Sequence, residues 1–80
     1  MHISMDEGYI LMCAVRYQLP RSTYGSGIIC DYIRKNIGRI LYVDKMLLIK
    51  EIATALGTEG VVADSDRNVW QAALDILRND

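Results

Sequence analysis

The sequence predicts an all-α fold, a compact four-helix single domain with short connections. The chain has 80 residues, which is enough for one domain and too few for two. Its apolar content of 51% is sufficient for a core and too high for a disordered chain. Apolar residues recur at helical spacing in separate stretches, which are divided by capping residues, glycines and one proline.

The first helix is predicted over residues 5–18. Ser4 and Glu7 are spaced as a capping box, in which each side chain satisfies a free backbone N–H at the start of a helix. Pro20 disfavours helical backbone at the residue before it, so the helix ends there. The run over residues 9–15 is apolar on every side, which predicts a buried central helix.

The second helix is predicted over residues 24–36. Ser22 and Thr23 precede it, and both are favourable N-cap residues. Gly25 and Gly27 lie in its first turn, where glycine weakens a helix, so they indicate close approach of another backbone. Helical spacing predicts one buried stripe, made of Ile28, Ile29, Tyr32 and Ile33.

The third helix is predicted over residues 45–56. Asp44 is its expected N-cap, and Gly57 lies just past its end. The sequence leaves the conformation of residues 37–43 open, because the part from residue 39 fits either an extended connection or the start of this helix. The expected buried face comprises Leu48, Ile49, Ile52 and Leu56.

The last helix is predicted over residues 66–77, after a loop at 57–63 with two glycines. Asp64, Ser65 and Asp66 are three alternative N-cap residues for it. Its expected buried residues are Val69, Trp70, Ala73, Leu74 and Leu77.

The formal net charge of −1 argues against a nucleic-acid partner, because such binders draw most of their affinity from neutralising phosphates. One local cationic cluster could contact phosphate, namely Arg34, Lys35 and Arg39. Cations near the C-terminus of a helix complement its dipole. The cluster is therefore interpreted first as a solvated helix end.

Cys13 and Cys30 both lie inside apolar helical stretches, which predicts two reduced core thiols rather than a disulfide framework. The first residues are polar and acidic where a signal peptide would be basic. The longest apolar run is too short to cross a bilayer. We expect a soluble cytoplasmic protein without a membrane partner.

Catalytic and metal-binding patterns are sparse. The sole histidine is His2, close to the first residue, where it is poorly placed to act as a base. Cysteines and histidines do not show zinc-ligand spacing, and no phosphate-binding glycine motif occurs. Asp64 and Asp66 match only the start of a calcium loop. The sequence thus predicts no enzyme activity, no metal and no cofactor.

Residues 16–24 concentrate the unusual side chains of the chain around one proline. In a structural interpretation, an arginine at this helix corner pairs with a carboxylate while the tyrosines fill the core. The expected structural network comprises Asp31, Asp64, Asp66, Arg67 and Trp70. Whether Arg16 and Arg21 serve in that network is left open.

In the alternative interpretation the same corner is a contact surface. Arginine and tyrosine are favoured at interface hot spots because both offer large area and directional hydrogen bonds. With the cationic cluster included, the candidate partner-binding residues are Arg16, Arg21, Thr23, Tyr24, Arg34, Lys35 and Arg39.

Two sequence patterns carry a resemblance. Residues 16–24 read Arg-Tyr-x-Leu-x-Arg-x-Thr-Tyr, and residues 64–70 read Asp-x-Asp-Arg-x-x-Trp. This combination resembles a group of small uncharacterised proteins encoded by bacterial phages and prophages. The resemblance implies a phage-associated protein in the host cytoplasm, and it implies no catalytic residues.

Three functional hypotheses follow. The first is a non-enzymatic phage protein that binds and blocks a host protein by stoichiometric occlusion, as an anti-CRISPR or other anti-defence inhibitor does. The second is a small DNA-binding regulator, since the order helix, corner, helix over residues 5–36 resembles a helix-turn-helix. The third is a structural homodimer or assembly factor, because a small helical chain often has apolar surface left uncovered.

Overall fold

The computed structural model describes residues 5–21 and 25–79, with side chains from Glu7 onward. The described part of the chain contains four α-helices and no strand, so the predicted all-α, four-helix fold is confirmed. Short connections join the helices, and a single 3₁₀ turn at Ile37–Arg39 follows the second. The helices are α1 Met5–Gln18, α2 Gly25–Asn36, α3 Tyr42–Leu56 and α4 Asp64–Asn79.

The bounds of α1 and the end of α2 agree with the predictions. Pro20 ends α1 as expected: the amide of Leu19 still donates to the carbonyl of Val15, and the amide of Arg21 then turns back to the carbonyl of Gln18. The predicted caps Ser4, Ser22 and Thr23 lie outside the described residues, and so does Tyr24.

The predicted start of α3 is wrong. The helix begins at Tyr42, and the N-cap position belongs to Leu41, whose backbone is extended and whose side chain makes no capping bond. Asp44 lies inside the first turn instead, where a carboxylate interacts favourably with the positive end of the helix. Asp44 is therefore a residue of the first helical turn and not the N-cap that the sequence predicted.

The start of α4 also lies earlier than predicted, at Asp64. All three cap candidates consequently fall within the first turn of the helix. The predicted buried face is correct in its main members, because Trp70, Ala73, Leu74 and Leu77 are all buried.

The four helices pack in a ring. α1 contacts α2 and α3, and α4 contacts the same two helices from the other side, so α1 and α4 are diagonally opposite. α1 and α3 run in the same direction, since Gly8 lies against Asp44 and Arg16 bonds Glu51 further along both helices. α2 and α4 are also parallel, as Ser26 bonds Asp66 and the Cys30 thiol donates to the Val69 carbonyl.

All four helices contribute to one hydrophobic core. Trp70 is fully buried at its centre, and its indole Nε1 has no acceptor among the described residues. Burial of so large a side chain is a major source of stability in a domain of this size. The other buried apolar residues are Leu11, Met12, Val15, Leu19, Cys30, Ile33, Ile40, Leu48, Ile52, Ala55, Val62, Ala73, Leu74 and Leu77.

The expectation that α1 is a buried central helix is wrong. Leu11, Met12 and Val15 are buried, but Tyr9 and Ile10 are largely exposed. The physical reason is the ring arrangement, in which α2 and α3 are the helices of the described residues that pack closely against α1. One side of the apolar run at residues 9–15 therefore remains on the surface.

The predicted buried stripe of α2 needs correction too. Ser26, Cys30 and Ile33 are the buried residues of this helix, whereas Ile28 and Tyr32 are exposed. The helix is rotated so that a serine and a cysteine, both small, face α4. Apolar side chains on the neighbouring side are left beside α1.

The close backbone approach predicted at Gly27 is not observed, because a Cβ atom there would meet nothing within 4 Å. The close approach is found at Gly8 instead. A Cβ atom on Gly8 would lie 2.8 Å from Cγ of Asp44. This contact joins α1 to the Asp44 side chain of α3, and the close approach predicted at Gly25 stays a prediction.

Candidate binding surfaces

Arg21 lies on the surface at the end of α1. Its guanidinium stacks over the ring of Tyr17, with 3.7 Å between Cζ and the ring centroid, and Nη1 donates to the Tyr17 carbonyl. Tyr17 is itself exposed, so the expectation that it fills the core is wrong. Cation–π contacts at exposed sites are weak. Arg21 and Tyr17 thus form a guanidinium–aromatic pair that is accessible to solvent.

The expected ion pairs of Arg21 are not found among the described residues. Asp66 is buried and accepts a hydrogen bond from the Ser26 hydroxyl at 3.2 Å. Asp31 pairs with Arg34, with 2.6 Å between Oδ1 and Nη1, and Asp64 is exposed. The structural interpretation, in which a corner arginine pairs with a carboxylate, is therefore wrong for Arg21. Its guanidinium contacts Tyr17 of α1, the helix that it follows.

Arg16 has a different role from Arg21. Its Nε donates to Oε1 of Glu51 at 2.8 Å, and this bond links α1 to α3. Both side chains retain substantial solvent exposure, so the pair contributes little to stability. Arg16 therefore bridges α1 and α3 at the surface without adding much to the stability of their contact.

The cationic cluster lies where α2 ends. Besides the pair that Arg34 makes with Asp31, Nη1 of Arg39 donates to Oδ1 of Asn36 at 2.9 Å, and Lys35 is exposed. Bonding within the same helix end supports the interpretation of the cluster as a solvated helix terminus.

Arg67 links α4 to α3, as part of the predicted network. Its Nη2 donates to the carbonyl of Leu56 at 2.8 Å. The carbonyls in the last turn of a helix lack backbone donors, and an arginine that reaches them caps the helix. Arg67 thus bonds the end of α3, Asp66 bonds Ser26 of α2 and Trp70 is buried in the core, while their membership of one network with a corner arginine stays a prediction.

An apolar groove separates α1 from α2. It has a volume of about 300 Å³, and Ile10, Ile28 and Tyr32 on its rim are exposed. Groove-lining side chains are almost all apolar, with Glu7 as the charged exception. Its lining comprises Glu7, Ile10, Leu11, Ala14, Ile28, Ile29 and Tyr32.

A second apolar surface covers the first two turns of α3, and we call it the α3 face. Its four side chains are between 40% and 74% exposed, and they are Tyr42, Val43, Met46 and Leu47. Sequence reasoning missed this surface, because it placed two of the four residues, Tyr42 and Val43, before the helix. The sequence did contain a signal for this surface. The stretch has more apolar residues than the one buried face of a helix can accommodate.

A wider, more polar groove of about 580 Å³ lies between α2 and α4, with Cys30, Asp31, Arg34 and Val69 in its lining. Burial raises the pKa of the Cys30 thiol to about 11, and nearby Arg34 opposes that rise. The thiolate is the reactive form of cysteine, so this thiol is inert at neutral pH. Both cysteines are free, but the prediction of two core thiols is wrong for Cys13, which is exposed.

Residues 5–21 and 25–79 contain no cluster of three or more His, Cys, Asp or Glu side chains that could hold a metal ion. None of the described helices is long and apolar enough to span a bilayer. Comparison with known proteins gave no match to a protein family, to a curated protein or to a solved structure.

Proposed function

We propose that this chain is a non-enzymatic protein-binding module that blocks a bacterial host protein by stoichiometric occlusion, with the α3 face as its contact surface. The observation that carries the proposal is the exposure of Tyr42, Val43, Met46 and Leu47 within two turns of one helix. Monomeric proteins seldom leave contiguous apolar surface of this kind uncovered.

The composition of the α3 face suits a protein partner. Aromatic residues and methionine are enriched at the centres of interfaces, whereas lysine and glutamate are depleted there. Lys50 is exposed and lies one turn beyond Met46 and Leu47, so it borders the apolar centre with a positive charge. A complementary partner surface is apolar with a carboxylate at its edge.

The class of partner comes from the resemblance to small phage and prophage proteins. A CRISPR or other defence effector is the partner class we propose.

The experiment is an affinity capture of tagged protein from nuclease-treated bacterial lysate, with mass spectrometry of the bound material. We expect one host protein in stoichiometric amount, and we expect the Val43→Lys/Leu47→Lys variant to lose it. The matched control is Asn68→Lys/Gln71→Lys, which adds the same charge at exposed positions of α4. Capture unaffected by the α3 variant, or lost equally in both variants, contradicts the proposed contact surface.

The inhibitory role needs its own readout. A bacterium with an active defence system is expected to lose protection against phage when it expresses the wild-type chain, and to keep protection when it expresses the α3 variant. If defence remains intact with the wild-type chain although the partner is captured, the chain binds a host protein without blocking defence.

A further inference from the structure

We propose that a second copy of this chain packs antiparallel on the outer face of α1, with Cys13 at the twofold axis. The outer face of α1 comprises Tyr9, Cys13 and Tyr17, with Ile10 at its edge on the rim of the α1–α2 groove. Tyr9 is 69% exposed, Ile10 64% and Tyr17 62%, and Cys13 between them is exposed as well. This surface is separate from the α3 face, so the inference does not depend on the proposed function.

The spacing on this face is symmetric. Tyr9, Cys13 and Tyr17 are successive positions four residues apart, which places them in one row along a helix. A twofold axis at Cys13 brings Tyr9 of one copy beside Tyr17 of the other, on both sides of the axis. Interfaces with twofold symmetry need a patch that complements itself in this way.

The side chain at the proposed axis is small. Cys13 lets two helix backbones approach closely, while the larger tyrosines fill the space further out. Exposed cysteine behaves as a small apolar group in packing. Large side chains flanking a small central one therefore give a helix contact without a void.

The charges select the antiparallel orientation. Glu7 is exposed in the first turn of α1, on the side of the α1–α2 groove and six residues before Cys13, and Arg21 lies just past the end of the helix, eight residues after Cys13. Antiparallel packing brings the acidic start of one helix toward the basic end of the other, whereas parallel packing opposes like charges. Antiparallel helix dipoles add to the same preference.

The exposed apolar area matches what such an interface needs. Ile28 at 61% and Tyr32 at 40% exposure flank the outer face across the α1–α2 groove. A fully exposed large side chain has about 200 Å² of surface. The exposed fractions of the five side chains on and beside the outer face therefore correspond to roughly 600 Å² per copy, and these side chains are Tyr9, Ile10, Tyr17, Ile28 and Tyr32. A standard interface buries about 800 Å² per partner, of which somewhat more than half is apolar.

The first test is the mass of the chain in solution, by sedimentation equilibrium over a range of concentrations. We expect a concentration-dependent rise from 9.1 kDa to twice that mass. The variant Tyr9→Lys/Tyr17→Lys is expected to stay monomeric, and Asn68→Lys/Gln71→Lys on α4 is expected to dimerise normally. A single mass of 9.1 kDa at all concentrations overturns the proposal, and so does a dimer that persists in the α1 variant.

The second test uses the native surface and needs no disruptive substitution. Dioxygen with a copper catalyst is expected to join two copies through Cys13, as the two thiols give up two protons and two electrons and form one disulfide. We expect a reducible covalent dimer that disappears in Cys13→Ser and keeps its helical circular dichroism spectrum. Absence of that product, or its unchanged formation in Cys13→Ser, contradicts a twofold axis at this residue.

Discussion

Gly8 of α1 lies directly against the carboxylate of Asp44 in the first turn of α3. A Cβ atom on Gly8 would lie 2.8 Å from Asp44 Cγ, closer than non-bonded carbon atoms pack. The buried Oδ2 of Asp44 has no hydrogen-bond donor among the described residues. The close packing of α1 on α3 thus depends on the missing side chain at residue 8.

Gly8→Ala is expected to be less favourable than Gly27→Ala by about 1–3 kcal/mol, because both changes gain helix propensity but only the methyl group at residue 8 overpacks the contact with Asp44. Gly27→Ala is the matched control in α2, since a Cβ there meets nothing within 4 Å. It is expected to stabilise the fold by about 0.5–1 kcal/mol through helix propensity. Urea denaturation followed by circular dichroism measures both free energies of unfolding.

A double-mutant cycle tests the cause of the Gly8 effect. In an Asp44→Ala background the space beside residue 8 is open, so Gly8→Ala should lose most of its destabilising effect. An equal effect of Gly8→Ala in both backgrounds would show that the Asp44 carboxylate is not what excludes the methyl group.

Arg21→Ala is expected to change the free energy of unfolding by less than about 1 kcal/mol, because the contact with Tyr17 is exposed. Arg21→Lys, which keeps the charge, serves as the control. A loss of several kcal/mol in Arg21→Ala would instead indicate a buried charge partner, contrary to the contacts described above.

Ser26→Ala is expected to destabilise the protein by about 1–3 kcal/mol, because it removes a donor from the buried Asp66 carboxylate. The effect is predicted to be smaller in an Asp66→Ala background, in which no carboxylate remains unpaired. Thermal unfolding of the four chains in this cycle gives the coupling energy, and a coupling near zero contradicts a stabilising bond between α2 and α4.

Alkaline pH is expected to destabilise the fold through Cys30. Because burial raises the pKa of this thiol from 9.0 to about 11, the unfolded chain loses the proton before the folded chain does. The stabilising contribution is complete below pH 9 and is lost as the pH rises toward 11. Urea denaturation at pH 8 and pH 10 under reducing conditions measures the loss, which should be smaller in Cys30→Ala.

Local sequence signals predicted a helix well where its capping or helix-breaking residues and its apolar periodicity indicated the same bounds. Pro20 correctly ended α1, and the apolar period of α4 identified the buried set around Trp70. At Asp44 the signal was ambiguous, because an acidic residue is favourable both as a cap and in the first turn. The helix start was misplaced there for that reason.

Contacts between helices could not be read from local signals. Hydropathy gave the apolar content of α1 but not the number of helices that cover it, and Tyr9 and Ile10 are exposed as a result. The partner of Arg21 was likewise a question of tertiary geometry. Arginine can pair with any carboxylate within reach, and only the fold shows that Tyr17 is the neighbour.

We propose a contact through exposed apolar helix surface rather than through the polar corner around Arg21. The most direct measurement compares host-protein capture by Val43→Lys/Leu47→Lys and by Arg21→Ala, each verified as folded by circular dichroism. We predict that the first variant loses the bound host protein and that the second retains it. Retention by the α3 variant together with loss in Arg21→Ala would contradict the claim and assign the contact to the corner.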